Sequence, residues 1–154
     1  MTRAVDTAFL VQLELKESAG HEKARAFLDR AVLTPGNPLA LTPQVLEEFV
    51  HVVTDARRFE RPLEMGDALE RADTWWRAAE VRHLFPDSHA VTLFVEWMRG
   101  LRLGRTRIHD TLLAATCVSA GITEIVTSDR QGFEVFGGLA VCDPLTWKAE
   151  TDRA

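Results

Sequence analysis

Four carboxylates, Asp6, Glu48, Asp110 and Asp129, sit in contexts from which a folded chain could bring them to one point. Asp6 follows the short apolar start Ala4-Val5, and Asp129 ends the strand-like Glu124-Ile-Val-Thr-Ser-Asp129. Glu48 lies in the helical-looking stretch Thr42 to Val50, and Asp110 opens the amphipathic run Asp110-Thr-Leu-Leu-Ala-Ala-Thr116. Carboxylates that converge repel one another and are costly unless a cation neutralises them. An all-oxygen set suits a hard divalent ion such as Mg2+, which takes a few carboxylates together with waters and substrate phosphate oxygens. Pockets of this kind carry out metal-assisted phosphodiester hydrolysis, and that chemistry needs no protein base. Each acid also has an ordinary alternative. Asp110 would favour its helix dipole from the first turn, and Asp129 could serve only as a turn residue.

The elements that must position these acids are read from periodicity and punctuation. Residues 3–10 begin as a short strand, and His21 to Val32 carries Ala24, Phe27, Leu28 and Ala31 at helical spacing. Leu39-Ala-Leu41 is strand-like. Thr42 then makes a good N-cap with Pro43 at the first helical position. A long helix is expected from about Leu63 to Ala79, a short β-leaning stretch at Val81 to Phe85, and helices over 88–99 and 108–120, the last closed by Gly121. Ile122 to Thr127 and Leu139 to Cys142 read as two late strands. Strands alternating with helices indicate βαβ units, and hence an α/β fold with a parallel sheet covered on both faces. In such sheets ligands bind outside the carboxyl ends of the strands, where Asp6 and Asp129 are expected.

A chain of 154 residues is the size of one domain, here taken as 1–154 with an ordered core of about 3–147. With 46% hydrophobic and 27% charged residues the composition argues against disorder. There is no membrane-spanning apolar run and no signal-peptide pattern, so the expected location is cytoplasmic. Cys117 and Cys142 lack zinc-ligand spacing and read as buried thiols. A net charge of −5 does not advertise a nucleic-acid binder. Arginines nevertheless gather locally, as Arg57, Arg58 and Arg61 and as Arg99, Arg102, Arg105 and Arg107; the ordinary reading of both groups is solvated loops and helix ends.

The constellation as a whole resembles the PIN-domain nucleases. Asp6-Thr7 after the first strand, Gln44-Val-Leu-Glu-Glu-Phe49, Asp110-Thr-Leu-Leu-Ala-Ala115 and Val126-Thr-Ser-Asp129 with Phe133 occur in that family's order over essentially the whole chain. The likeness is greatest to the VapC-type toxins of bacterial type II toxin–antitoxin systems, where the segment Thr42 to Pro62 and the pair Trp75-Trp76 add to it. The resemblance implies a three-layer α/β/α sandwich with a central parallel sheet. It implies a Mg2+-dependent endoribonuclease (Mn2+ as a substitute) cutting tRNA or rRNA loops, a cognate small antitoxin protein as partner, and a homodimer. Asp6, Glu48, Asp110 and Asp129 become the catalytic and metal-binding set, with Thr7 and Thr127 as hydroxyls that could bond a ligand carboxylate.

Two departures or choices remain. Glu47 and Glu48 point about 100° apart on a helix, and Phe49 and the family's phase favour Glu48. The family usually has Asn or Ser two residues after the first Asp, where this chain has Ala8, which implies that a polar supporting group is missing. A catalytically weak or inactive interaction module and a DNA-directed phosphodiesterase are the competing functions. Arg105 and Arg107, just before Asp110, are the arginines best placed to hold RNA phosphate. Trp75, Trp76 and Trp97 read as core or dimer surface, His109 faces a different direction from Asp110, and no phosphate-cradling glycine loop or serine-nucleophile spacing occurs.

Overall fold

The short apolar stretches between turn signals become strands. A computed structural model, which describes residues 1–152, contains among those residues five strands of three residues each: β1 (Arg3–Val5), β2 (Leu39–Leu41), β3 (Val81–His83), β4 (Glu124–Val126) and β5 (Ala140–Cys142). The last two residues of the expected 1–154 domain lie outside the described residues. All pairings are parallel and the order is β3-β2-β1-β4-β5. The chain therefore builds outward from β1 in one direction through β2 and β3, then returns to place β4 on the other side of β1. The order reverses between β1 and β4, which is where an open α/β sheet binds its ligand.

Seven α-helices cover the sheet: α1 (Thr7–Glu14), α2 (His21–Phe27), α3 (Pro43–Val53), α4 (Met65–Arg77), α5 (Ser88–Gly100), α6 (Ile108–Ser119) and the single turn α7 (Arg130–Phe133), counted among the described residues. Strand side chains alternate between faces. Val5, Leu39, Leu41 and Val126 meet the layer formed by α1 to α4, around Phe9, Phe27 and Phe49. Ala4, Ala40 and Ile125 meet the layer of α5 to α7, around Phe133 and Phe136. The result is the three-layer α/β/α sandwich.

Local signals act as expected at α3, where Thr42 accepts a hydrogen bond from the Val45 amide at 3.2 Å and Pro43 fills the first turn. Gly121 adopts φ 75° directly after α6, the left-handed conformation that ends a helix. The expected helix from Leu63 begins at Met65 and ends at Arg77. The larger difference lies at the N-terminus, where strand character stops at Val5 and residues 7–14 are helical. Phe9, Leu10, Val11, Gln12 and Leu13 are all buried, so α1 has almost no polar face and shows little helical periodicity. The helix that follows, α2, ends in a π-helical turn over Leu28–Leu33. Both cysteines are free and buried, as expected, and burial pushes their thiols up to about 12 and about 11. Trp75 is core, its indole N–H donating to Glu14 at 2.7 Å.

Gly20, before α2, holds φ 85°, and a Cβ there would collide with Leu145. Gly20→Ala should destabilise the fold by roughly 2–4 kcal/mol in urea unfolding, combining the left-handed penalty with overpacking. Leu145→Ala in the same chain should cost less than the sum of the two single changes, because the collision is then relieved.

Candidate active site

Each of the four acids arrives by a different local device. Asp6 ends β1 in extended conformation and caps α1, and its own amide donates to the Val126 carbonyl of β4 at 3.2 Å. Asp129 stands after β4 and caps α7, accepting from the Gly132 amide at 3.0 Å. The fit there is close, since a Cβ on Gly132 would run into the Asp129 carboxylate. Glu48 projects from α3 and Asp110 from the first turn of α6. All four line one cavity of about 470 Å3, with Thr7, Ala8 and Gln12 also on its wall. His109, which helical spacing turned away from Asp110, lines the same cavity beside it, since both come from the first turn of α6. Glu47 does not line it. It faces instead a neighbouring cavity of about 600 Å3 between α3 and α6, which is walled by Val45, Val50, Leu112 and Leu113 and shares Asp6, Glu48 and Asp110 with the first.

The acids occupy different depths. Asp6 is buried, 8% exposed, Asp110 is half-buried, and Glu48 and Asp129 are open to solvent. Two threonines hold the carboxylates in place. The Thr127 hydroxyl donates to Asp6 Oδ2 at 2.8 Å while accepting from the Asp129 amide at 3.0 Å, and the Thr7 hydroxyl donates to Glu48 at 3.0 Å. The Thr7 amide donates to Asp6 Oδ1 at 2.8 Å. These bonds occupy one acceptor site on each Asp6 oxygen and leave the other pair available. Gln12, absent from the sequence reading, ties α1 to the β4 loop by donating to Ser128 at 2.9 Å. Its only sequence signal is a polar residue inside an apolar run.

The electrostatics reflect carboxylates buried and gathered together. Burial drives the Asp6 carboxyl up to about 7, the Thr127 hydrogen bond opposes this, and the charges of Asp110 and Glu48 add to the rise. Asp110 is also raised, first by burial, against the lowering effect of Arg107, and then by Asp129 and Glu48. Carboxylates gathered so that Asp6 and Asp110 are raised by their neighbours' charges have the oxygen chemistry of a hard divalent cation's site. Among the described residues no three acidic, histidine or cysteine side chains stand close enough together to hold a metal ion as they are.

Comparisons with known proteins agree with this geometry. The family model for the PIN domain matches residues 4–139. Ribonuclease VapC24 of Mycobacterium tuberculosis is 30% identical over 146 residues, covering 93% of this chain and 97% of the relative. The chain belongs to the PIN-domain family. Among solved structures, the VapBC2 complex of Rickettsia felis bound to a promoter DNA fragment has a TM-score of 0.67 at 16% identity, covering 92% of this chain and 97% of that one. VapC20 of Mycobacterium tuberculosis, a sarcin–ricin loop cleaving toxin, has a TM-score of 0.60 at 19% identity, covering 81% and 87%. At those identities the likeness is one of fold.

Two further features shape the site. Ala8 supplies no polar group, and the hydroxyls that bond the carboxylates come from Thr7 and Thr127 instead. Arg107 turns inward, with its guanidinium donating to the Gly132 carbonyl, lying 5.9 Å over the Phe136 ring and reaching Asp110 at 3.9 Å. It ties α6 to the α7 turn, while Arg105 on the same 3-10 turn is exposed.

A pH dependence follows from Asp6. Its folded value of about 7 lies above the ordinary 3.8, so between these limits the native chain binds more protons than the unfolded one. Stability of the metal-free protein should therefore fall as pH rises from about 4 to about 7. Asp6→Asn removes that slope while an amide can still meet both threonine partners. At pH 7.5 it should be the more stable protein, by up to roughly 4 kcal/mol, and the gain should vanish near pH 4. Urea midpoints across this range, without divalent ions, check it; parallel curves for the two proteins would show that Asp6 carries no such strain.

Proposed function

We propose that this chain is a Mg2+-dependent endoribonuclease (Mn2+ substituting) and the toxin half of a toxin–antitoxin pair. The observation that carries the reading is the meeting of Asp6, Glu48, Asp110 and Asp129 on one cavity at the sheet's switch point. RNA as substrate is supported by relatives named ribonucleases along nearly their whole length. VapC20, a sarcin–ricin loop cleaving toxin, supports a structured rRNA loop as target, with tRNA loops as the other class. An antitoxin partner is supported by neighbours solved as VapBC complexes. Homodimerisation and a cytoplasmic location complete the proposal; no helix among the described residues is long and apolar enough to cross a membrane.

In this reading Asp6, Asp110, Glu48 and Asp129 hold the ion. When bound, a hard divalent cation supplies a hydroxide nucleophile at neutral pH and offsets the charge building on the phosphate. The chain's own part is positional. Thr127 and the Thr7 amide fix both oxygens of the buried Asp6, and Thr7 draws Glu48 of α3 toward the α1 terminus. Asp6 is held where it resists ionisation alone, so it becomes a carboxylate most readily when the cation is present. Metal uptake should accordingly release a proton near neutral pH.

Purified wild-type protein should cut an RNA hairpin with Mg2+ or Mn2+ and stop when EDTA is added. Asp6→Asn and Asp110→Asn should each lower the rate by on the order of 10²–10³-fold, the usual cost of losing one such electrostatic group. Expressed alone in a bacterium, wild type should arrest growth and Asp6→Asn should not. Full cleavage by both variants would remove the site, cleavage of DNA oligonucleotides in preference to RNA would change the substrate, and calorimetry without an acid-dependent Mn2+ heat would mark an inactive interaction module.

A further inference from the structure

The cavity that gathers the four acids is lined by a single arginine or lysine among the described residues, Arg58. This arginine lies on the loop between α3 and α4, far in sequence from Arg105 and Arg107. The loop is built to present it. Arg58 and Phe59 amides donate to the Asp55 carbonyl at 3.0 and 3.3 Å, and Glu17 accepts from the amides of Glu60 and Arg61 at 3.2 and 3.0 Å. Phe59 packs against the hydrophobic core. The guanidinium itself stays mostly exposed and uncommitted. Its one ion pair is with Asp55 at 3.6 Å, while Arg57 holds that same carboxylate more closely, through its amide at 2.9 Å and its side chain at 3.1 Å. Arg58 does not pair with any of the four acids. A lone cation with free donors, fixed on the wall of an acidic cavity, has the chemistry to take a second anion.

We propose that Arg58 binds a backbone phosphate of the RNA adjoining the one that is cut. This rests on the ribonuclease reading of the site. Arginine's planar fork matches two phosphate oxygens, and a preformed loop loses little freedom on binding. The contact positions the strand without reading sequence, and it counters the repulsion between an acidic pocket and a polyanion. Arg58 is thus a substrate-binding residue whose effect falls on KM.

The test is steady-state cleavage of a fluorescein-labelled RNA hairpin with Mg2+ over a range of salt, with binding of the same hairpin followed in parallel by anisotropy. Arg58→Gln should raise KM about tenfold, the loss expected for one charged hydrogen-bonded contact, and leave kcat within about twofold. The plot of log KM against log salt should become shallower by about 0.7–0.9, one phosphate contact's share. Arg58→Lys should restore the slope and only part of KM. Arg77→Gln, which removes an exposed charge paired with Asp73 on α4, should change neither. Wild-type KM and slope in Arg58→Gln, or equal effects from Arg77→Gln, overturn the proposal while leaving the nuclease reading intact. If wild type binds but does not cut, the nuclease reading fails by itself, and the anisotropy series alone decides whether Arg58 is the clamp.

Discussion

The constraint on which the rest of this structure depends is the burial of Asp6 among like charges. A carboxylate 8% exposed, with Asp110 and Glu48 acting on it, is a cost that the fold carries at its centre. It is tolerable because both oxygens are bonded and because β1, flanked by β2 and β4, is the central strand of the sheet. The packing on either side is dense in large apolar residues, with Phe9, Phe27 and Phe49 beneath one face and Phe133 beneath the other. Buried apolar surface at about 25 cal/mol per Å2 offsets the local penalty many times over. The strain then remains at the site, where a cation, if the proposed function holds, would relieve it.

Small side chains let the second layer reach the same point. Ala4 and Ala40 on the sheet and Ala114 on α6 are all fully or nearly fully buried in one cluster. Little bulk therefore separates α6 from the central strands, and the first turn of that helix brings Asp110 within electrostatic reach of Asp6. Arg107 acts one turn earlier, joining α6 to the α7 turn that Asp129 caps. The same α7 turn has no room for a side chain at Gly132, so the Asp129 carboxylate is confined by contact as well as by its hydrogen bond. The sheet, α6 and the α7 turn are thus tied to one another through the residues around the acids.

Much of this was legible from the chain, and the exceptions have physical causes. The alternation of apolar strands with helices announced the parallel sheet, and Asp6 and Asp129 were placed at strand ends by the residues before them. Helical phase separated Glu48 from Glu47, and the structure gives only Glu48 a place on the acid cavity. The helix α1 was hidden because its residues are buried on nearly every side, so periodicity had no polar face to register. Arg58 was hidden for a different reason. Its position comes from a loop closed by Glu17, more than forty residues away, and no local pattern encodes that clasp. Arg107 looked equivalent to Arg105 by spacing, yet one is anchored to Gly132 and Phe136 and the other is exposed.

The net charge of −5 acquires a different meaning once charges are placed. A uniformly basic surface would attract any polyanion, and non-specific phosphate affinity would dominate binding. Here the acids cluster in the cavity, where a bound cation would convert them from a barrier into an anchor on the proposed function, and Arg58 stands beside them. On the far side of Asp6, Glu48 and Asp110 the wall turns apolar, with Val45, Val50, Leu112 and Leu113 lining the adjoining space. On the proposed function, a nucleic acid crossing this site would meet an arginine for its phosphate, the acids that would hold a metal, and an apolar wall for a base. An acidic protein arranged in this way gains little from a duplex held only by its backbone. On the proposed function it would gain most from a strand with an unpaired base to bury, as an RNA loop offers.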